Sequence, residues 1–129
     1  MRTLNLVTLV LILICSGRGE AVEKSTALLL RVNFGEKNTV FEIPDSKKVD
    51  LVVNGRKRKA LRGNIDHAIK LATAASKEKS NDKSLCSRKY IELVFTPKGG
   101  KETRTYGCID SKTPAAVKLS ELSNLMLFM

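Results

Sequence analysis

The sequence predicts a small α+β domain in which an antiparallel sheet of about five or six strands carries one central helix and one disulfide. Apolar and polar residues alternate in several short runs, whereas one stretch in the middle of the chain has helical spacing. Two cysteines remain once an apparent secretory leader is removed. A β-sandwich with a single helix is the alternative architecture.

The first 21 residues are predicted to be a cleaved secretory signal peptide. A short basic start precedes an uncharged run over residues 4–15, and small and polar residues follow it. The run is too short to span a bilayer, which requires roughly 20 residues. The pattern does not distinguish cleavage after Gly17, Gly19 or Ala21. Residues 22–129 are then expected to form one small secreted, extracellular domain.

Cleavage changes both the charge and the cysteine count. After a cut at Ala21, 21 basic and 12 acidic residues remain, a net charge of +9. Cys15 leaves with the leader, and the even count that remains predicts a disulfide between Cys86 and Cys108. A zinc site requires more Cys or His ligands at short spacing, so neither a metal nor another cofactor is expected.

Strand signals lie on both sides of the helix. Alternation predicts four strands before it, over residues 26–34, 39–43, 49–53 and 56–61. Asn54-Gly55 is the strongest turn signal, because a type I′ turn requires positive φ at both central residues. A last hairpin is predicted around Pro97–Gly100. Pairing Thr96 with Lys101 there places Cys108 near Lys89, so the disulfide requires a bulge or a position beyond the paired region.

The middle of the chain is predicted to be helical, with Asn64 as the N-cap and Asp66 in the first turn. An apolar stripe follows at helical spacing and comprises Ile65, Ala68, Ile69, Ala72 and Ala75. Residues 76–84 are polar and without periodicity, which predicts a mobile loop. The tail is interpreted either as a short helix from Pro114 or as a final strand over 125–129, and in both cases it closes the core.

The sequence does not indicate catalysis. The single histidine, His67, follows Asp66, but adjacent helix residues point about 100° apart and do not form a catalytic pair. Neither Gly-x-Ser-x-Gly nor a phosphate-binding loop occurs. We therefore expect a non-catalytic protein with His67 on its surface.

A basic cluster rises above this background. Five positive charges fall within seven residues, and they belong to Arg56, Lys57, Arg58, Lys59 and Arg62. A strand with charge on both faces must be an edge strand, and a lysine-rich edge also opposes aggregation. The same cluster favours binding of an extracellular polyanion, such as a sulfated glycosaminoglycan, or of another anionic surface. A solvated edge strand and a polyanion contact are both consistent with the pattern.

Two other functions are consistent with parts of the sequence. Asn54-Gly55 followed by Arg56–Arg58 also resembles a processing site of a secreted peptide precursor, with Lys47-Lys48 as the upstream cut. A small secreted protease inhibitor or toxin-like effector is a further alternative, with residues 76–84 or 97–100 as its exposed loop. Nucleic acid is not an expected partner, because the chain has no Trp and few aromatic residues for stacking. Stable membrane insertion is not expected either.

Overall fold

The computed structural model describes residues 25–129, so the predicted signal peptide lies outside the described residues. Strands and helices follow one another as β1 (Ala27–Phe34), β2 (Lys37–Ile43), β3 (Asp50–Val53), β4 (Arg56–Lys59), α1 (Arg62–Ser76), β5 (Lys89–Thr96), β6 (Thr103–Cys108) and α2 (Pro114–Leu127). The six strands form one open antiparallel sheet in the order β4-β3-β2-β1-β5-β6. The predicted α+β class is confirmed, and the tail, which the sequence left open, forms a second helix.

Strand β1 lies at the centre of the sheet. Its pairing with β2 runs from Leu28 opposite Ile43 to Phe34 opposite Lys37. Its pairing with β5 runs from Ala27 opposite Thr96 to Phe34 opposite Lys89. The alternation of β1 is thereby imposed on both neighbours, because directly opposed residues share a face. Apolar residues at alternate positions of these strands face the helices and are buried.

Both helices cover that same face of the sheet. The core comprises Leu28, Leu30, Val32, Phe41, Ile43, Leu51, Ile91, Leu93 and Phe95 from the strands, with Ile65, Ala68, Ala72, Ala75, Leu119, Leu122 and Met126 from the helices. The apolar stripe predicted for α1 is thus buried, with Ile69 at its margin. No helix among residues 25–129 is long and apolar enough to cross a membrane.

The start of α1 differs from the prediction. Leu61 occupies the N-cap position without a side-chain hydrogen bond, so Asn64 is not the cap and Asp66 is not in the first turn. Instead, the Arg62 guanidinium donates hydrogen bonds to the carbonyls of Ser46 and Lys47 at 2.6 and 2.9 Å. These bonds tie the first turn to the β2–β3 loop. The helix therefore begins at Arg62, before the predicted cap Asn64.

The segment predicted to be a mobile loop is held against the outer edge of β6. The amide of Asn81 donates to the Tyr106 carbonyl at 2.8 Å, and the Tyr106 amide donates to Ser80 Oγ at 2.7 Å. The Cys108 amide donates to Asn81 Oδ1 at 3.0 Å. These bonds satisfy edge groups of β6 that an uncovered strand leaves open to another chain.

The disulfide between Cys86 and Cys108 is confirmed. Cys108 pairs with Tyr90, one position away from the predicted register. Ser87 and Arg88 have φ values of 49° and 68°, and the Lys89 amide donates to the Cys86 carbonyl at 2.9 Å. This tight turn before β5 folds Cys86 back beside the end of β6, so the sulfurs meet beyond the paired region.

Gly107 determines how closely α2 approaches β6. A Cβ at this position would lie 2.8 Å from Ala116 Cα and 3.1 Å from Ala116 N, both of them backbone atoms of α2. Backbone cannot move aside as a flexible side chain can, so any larger residue must push the helix away from the sheet.

We therefore expect Gly107→Ala to lower the free energy of unfolding by about 1–3 kcal/mol, as overpacking of a core does. Gly63→Ala is the control, because nothing lies within 4 Å of a Cβ built there and α1 favours alanine. Urea denaturation of both variants checks this. An unchanged midpoint for Gly107→Ala would show that α2 is not in close contact with β6.

Replacing Cys86 and Cys108 together with Ser should lower the free energy of unfolding by roughly 2–4 kcal/mol, because the bridge closes a loop with a sequence separation of 22. Chemical denaturation of the oxidised and variant proteins measures the difference. The disulfide would be contradicted if both thiols of the folded protein, purified without a reducing agent, react with an alkylating reagent.

Candidate polyanion-binding site

The basic cluster of β4 lies at one edge of the sheet, as predicted for a strand charged on both faces. All four of its residues are exposed. Arg58 is opposite the buried Leu51, so Arg56 and Arg58 share the helix-covered face. Lys57 is opposite Val52, and Lys57 and Lys59 therefore share the open face. The strand thus presents two cations on each face along a free edge.

A tight turn holds this edge in place. Asn54 and Gly55 have φ values of 49° and 84°, which are the positive values that a type I′ turn requires. Asn54 is also bonded to β2, because its amide donates to the Val40 carbonyl and its Oδ1 accepts from the Val40 amide, both at 2.8 Å. The turn that presents the charges is therefore anchored to the body of the sheet.

The cations of the cluster differ in how far they are already engaged. Lys59 Nζ lies 2.9 Å from Asp50 Oδ1, and this hydrogen bond lowers the pKa of the Asp50 carboxyl. Within residues 25–129, Arg56 and Arg58 form no ion pair. The charge of Lys57 helps to lower the pKa of the Asp50 carboxyl, but Lys57 is not hydrogen-bonded to it. Arg62 is bonded to the β2–β3 loop and lies 3.4 Å from Asp66. The charges most available to a ligand are therefore Arg56, Lys57 and Arg58.

A shallow groove runs along these three side chains. It has a volume of about 690 Å³ and is lined by Val53, Asn54, Arg56, Lys57 and Arg58. A smaller depression of about 150 Å³ beside it is lined by Lys48 and Lys57 together with the carboxylates of Asp45 and Asp50. The sequence pattern assigned Lys48 only to a processing site. Lys48 lies in the loop before β3 and Lys57 lies in β4, so the sequence does not indicate that the two residues line the same depression.

Two arginines on the open face, Arg31 and Arg104, are already engaged by Glu92. Glu92 is 3% exposed, although its position in the alternation indicates an outward residue. Arg31 donates to Glu92 Oε1 at 2.6 Å, Arg104 donates to Oε2 at 2.9 Å, and the Tyr106 hydroxyl donates to Oε2 at 3.1 Å. The Glu92 carboxylate raises the pKa of Arg104. Two of the chain's cations are thus committed to an internal ion-pair network.

The other residue that the sequence singled out for possible chemistry is His67. His67 is exposed on α1, as expected. No cluster of three or more His, Cys, Asp or Glu side chains that could hold a metal ion occurs among residues 25–129. No protein-family model, curated protein or solved structure matches the chain.

The bond between Lys59 and Asp50 gives a direct electrostatic test of this hairpin. We expect Asp50 to titrate below its usual value of 3.8 and to return towards that value in Lys59→Met. Because the folded-state pKa is lowered, the pair stabilises the fold above the unfolded pKa, and this contribution is lost as pH falls through the folded value.

Carboxyl NMR shifts recorded against pH provide the measurement. Asp82 is the internal control, because Ser84, rather than a lysine, lowers the pKa of its carboxyl. An Asp50 curve that does not change in Lys59→Met would show that the two side chains are not bonded in solution.

Proposed function

We propose that the protein is a secreted, non-catalytic binding protein that contacts a sulfated glycosaminoglycan through β4. The observation that carries the proposal is the exposure of Arg56, Lys57 and Arg58 together on one anchored edge strand, without a neutralising ion pair of their own. Net positive charge elsewhere on the domain attracts the same partner over longer distances, and salt weakens that attraction.

The arrangement suits a linear polyanion better than a compact ligand. Side chains two residues apart on a strand are about 6.7 Å apart, so Arg56 and Arg58 form a short row of cations. Guanidinium groups donate paired hydrogen bonds to the oxygens of anionic groups, and sulfate esters offer such oxygens at intervals along a chain. Because the strand is already ordered, binding costs less backbone entropy than it does for a flexible basic tail.

The location of β3 weighs against the alternative of a peptide precursor. The peptide released by cuts at Lys47-Lys48 and Arg56–Arg58 would contain all of β3, whose Leu51 is fully buried in the core. Its removal would take a strand and a core residue out of the sheet. For the inhibitor alternative, residues 76–84 are a poorer candidate for the exposed loop, because Ser80 and Asn81 are bonded to β6.

The proposal predicts how the protein behaves on immobilised heparin. Changing Arg56, Lys57 and Arg58 to Thr should lower the salt concentration needed for elution and should reduce the slope of log affinity against log salt by up to about three, one for each sulfate that is no longer bound. Thr suits a strand, and Lys59 is kept so that its bond to Asp50 still holds the hairpin. Affinity chromatography and salt-dependent titration give the two readouts.

The matched control removes the same charge from scattered, exposed positions, as Lys70→Gln, Lys77→Gln and Lys112→Gln. Circular dichroism and the melting temperature establish that both variants are folded. Equal losses of heparin affinity would mean that only net charge matters and that β4 is a solvated edge. A mature protein cut at Arg58 or Lys59, detected by intact mass, would favour the precursor instead.

A further inference from the structure

A second cleft lies near the opposite edge of the sheet, where the turn before β5 meets the short 3₁₀ helix Lys83–Leu85. It has a volume of about 620 Å³ and is lined by Asp82, Lys83, Ser84, Ser87, Arg88 and Tyr90. None of these residues belongs to the basic cluster of β4. The cleft combines two cations, two hydroxyl groups and one aromatic ring in a small space.

Aromatic rings hold one of the two cations in place. Lys83 Nζ lies 5.0 Å from the centroid of the Tyr90 ring and 5.6 Å from that of Tyr106, while the two rings contact each other edge to face. A cation over aromatic rings is attracted to them but keeps its full charge. Lys83 is therefore positioned at the cleft and can still bind an anion.

The backbone turn beside the disulfide places the other cation. Arg88 adopts a φ of 68° in the turn that begins at Cys86, and its carbonyl accepts a hydrogen bond from the Gly35 amide at 3.0 Å. The turn is thus tied to the β1–β2 connection as well as to β6 through the disulfide. Within residues 25–129 neither Arg88 nor Lys83 forms an ion pair.

The single carboxylate in the cleft is turned towards its own loop. Asp82 accepts hydrogen bonds from the Ser84 amide at 3.0 Å and from the Ser84 hydroxyl at 2.8 Å. Both bonds go to Oδ1, so one oxygen of the carboxylate is engaged by its own loop, and the two positive charges of the lining outnumber its single negative charge. The net charge of the lining is positive, and the ring of Tyr90 supplies an apolar surface beside it.

We infer that this cleft binds one sulfated sugar residue, with Lys83 and Arg88 contacting the sulfate and the sugar ring packing against Tyr90. The inference rests on the proposed function, since it assigns a second contact for the same class of polyanion. Four strand spacings separate β4 from β5, about 19 Å, and the register places Lys57 level with Val94, about 13 Å along β5 from Tyr90, so the two sites are roughly 23 Å apart. A long chain is able to reach both sites, whereas a single disaccharide occupies one of them.

The test is an amide NMR titration of the mature, disulfide-bonded protein with a fully sulfated heparin disaccharide. Shifts are followed separately at Ser84, Ser87 and Tyr90 and at residues 56–59. Three proteins are compared: the wild type, a cleft variant (Lys83→Gln and Arg88→Gln) and the hairpin variant with Thr at positions 56, 57 and 58. The unsulfated disaccharide and inorganic sulfate are the ligand controls.

We expect saturable shifts at the cleft amides in the wild type and in the hairpin variant, with an affinity at least about threefold weaker in the cleft variant. Tyr90→Leu should weaken binding of the disaccharide more than binding of inorganic sulfate, because it removes the sugar contact while Lys83 keeps its contact with the Tyr106 ring. Shifts confined to residues 56–59 would overturn the cleft inference and leave the proposed function standing. Shifts at the cleft without any at residues 56–59 would support the cleft and count against the hairpin. Equal shifts with the unsulfated disaccharide would overturn the assignment to an anionic ligand.

Discussion

The constraint on which the rest of the structure depends is that one sheet has helices on only one of its faces. Because β1 pairs on both sides, its alternation determines which residues of β2 and β5 face α1 and α2. That face is filled by apolar side chains, so the charged residues of the strands must lie on the open face, at an edge or at the end of a strand. A strand charged on both sides, such as β4, fits only at an edge, and it lies there.

Some cations of the domain are held in contacts that stabilise the fold, whereas others are available to a ligand. Arg31 and Arg104 are committed to Glu92, which has little contact with solvent and requires both partners. Arg62 anchors the start of α1 through backbone carbonyls, and Lys59 is bonded to Asp50. The net charge of the chain therefore overstates the charge that a ligand meets, and the positions without ion pairs matter more than the total.

Local patterns predicted much of the fold, and non-local contacts account for what they missed. The strands of both hairpins and the Asn54-Gly55 turn follow from alternation and from backbone preferences, which neighbouring residues determine. The early start of α1 depends on Arg62 reaching Ser46 and Lys47, and the burial of Glu92 depends on Arg31, 61 positions away. The basic cluster was visible in the sequence because its members are consecutive. The cleft of Lys83, Arg88 and Tyr90 was not, because a disulfide and a turn assemble it.

We propose that a polyanion lies along β4 rather than over the whole basic surface. Acetylation of the lysines of the wild-type protein, carried out with and without heparin at moderate salt and read out by mass spectrometry, tests this location. We predict strong protection of Lys57, whose side chain is exposed on β4, and little protection of Lys70 and Lys112. Protection spread evenly over all exposed lysines, with Lys57 no different from Lys70, would contradict it.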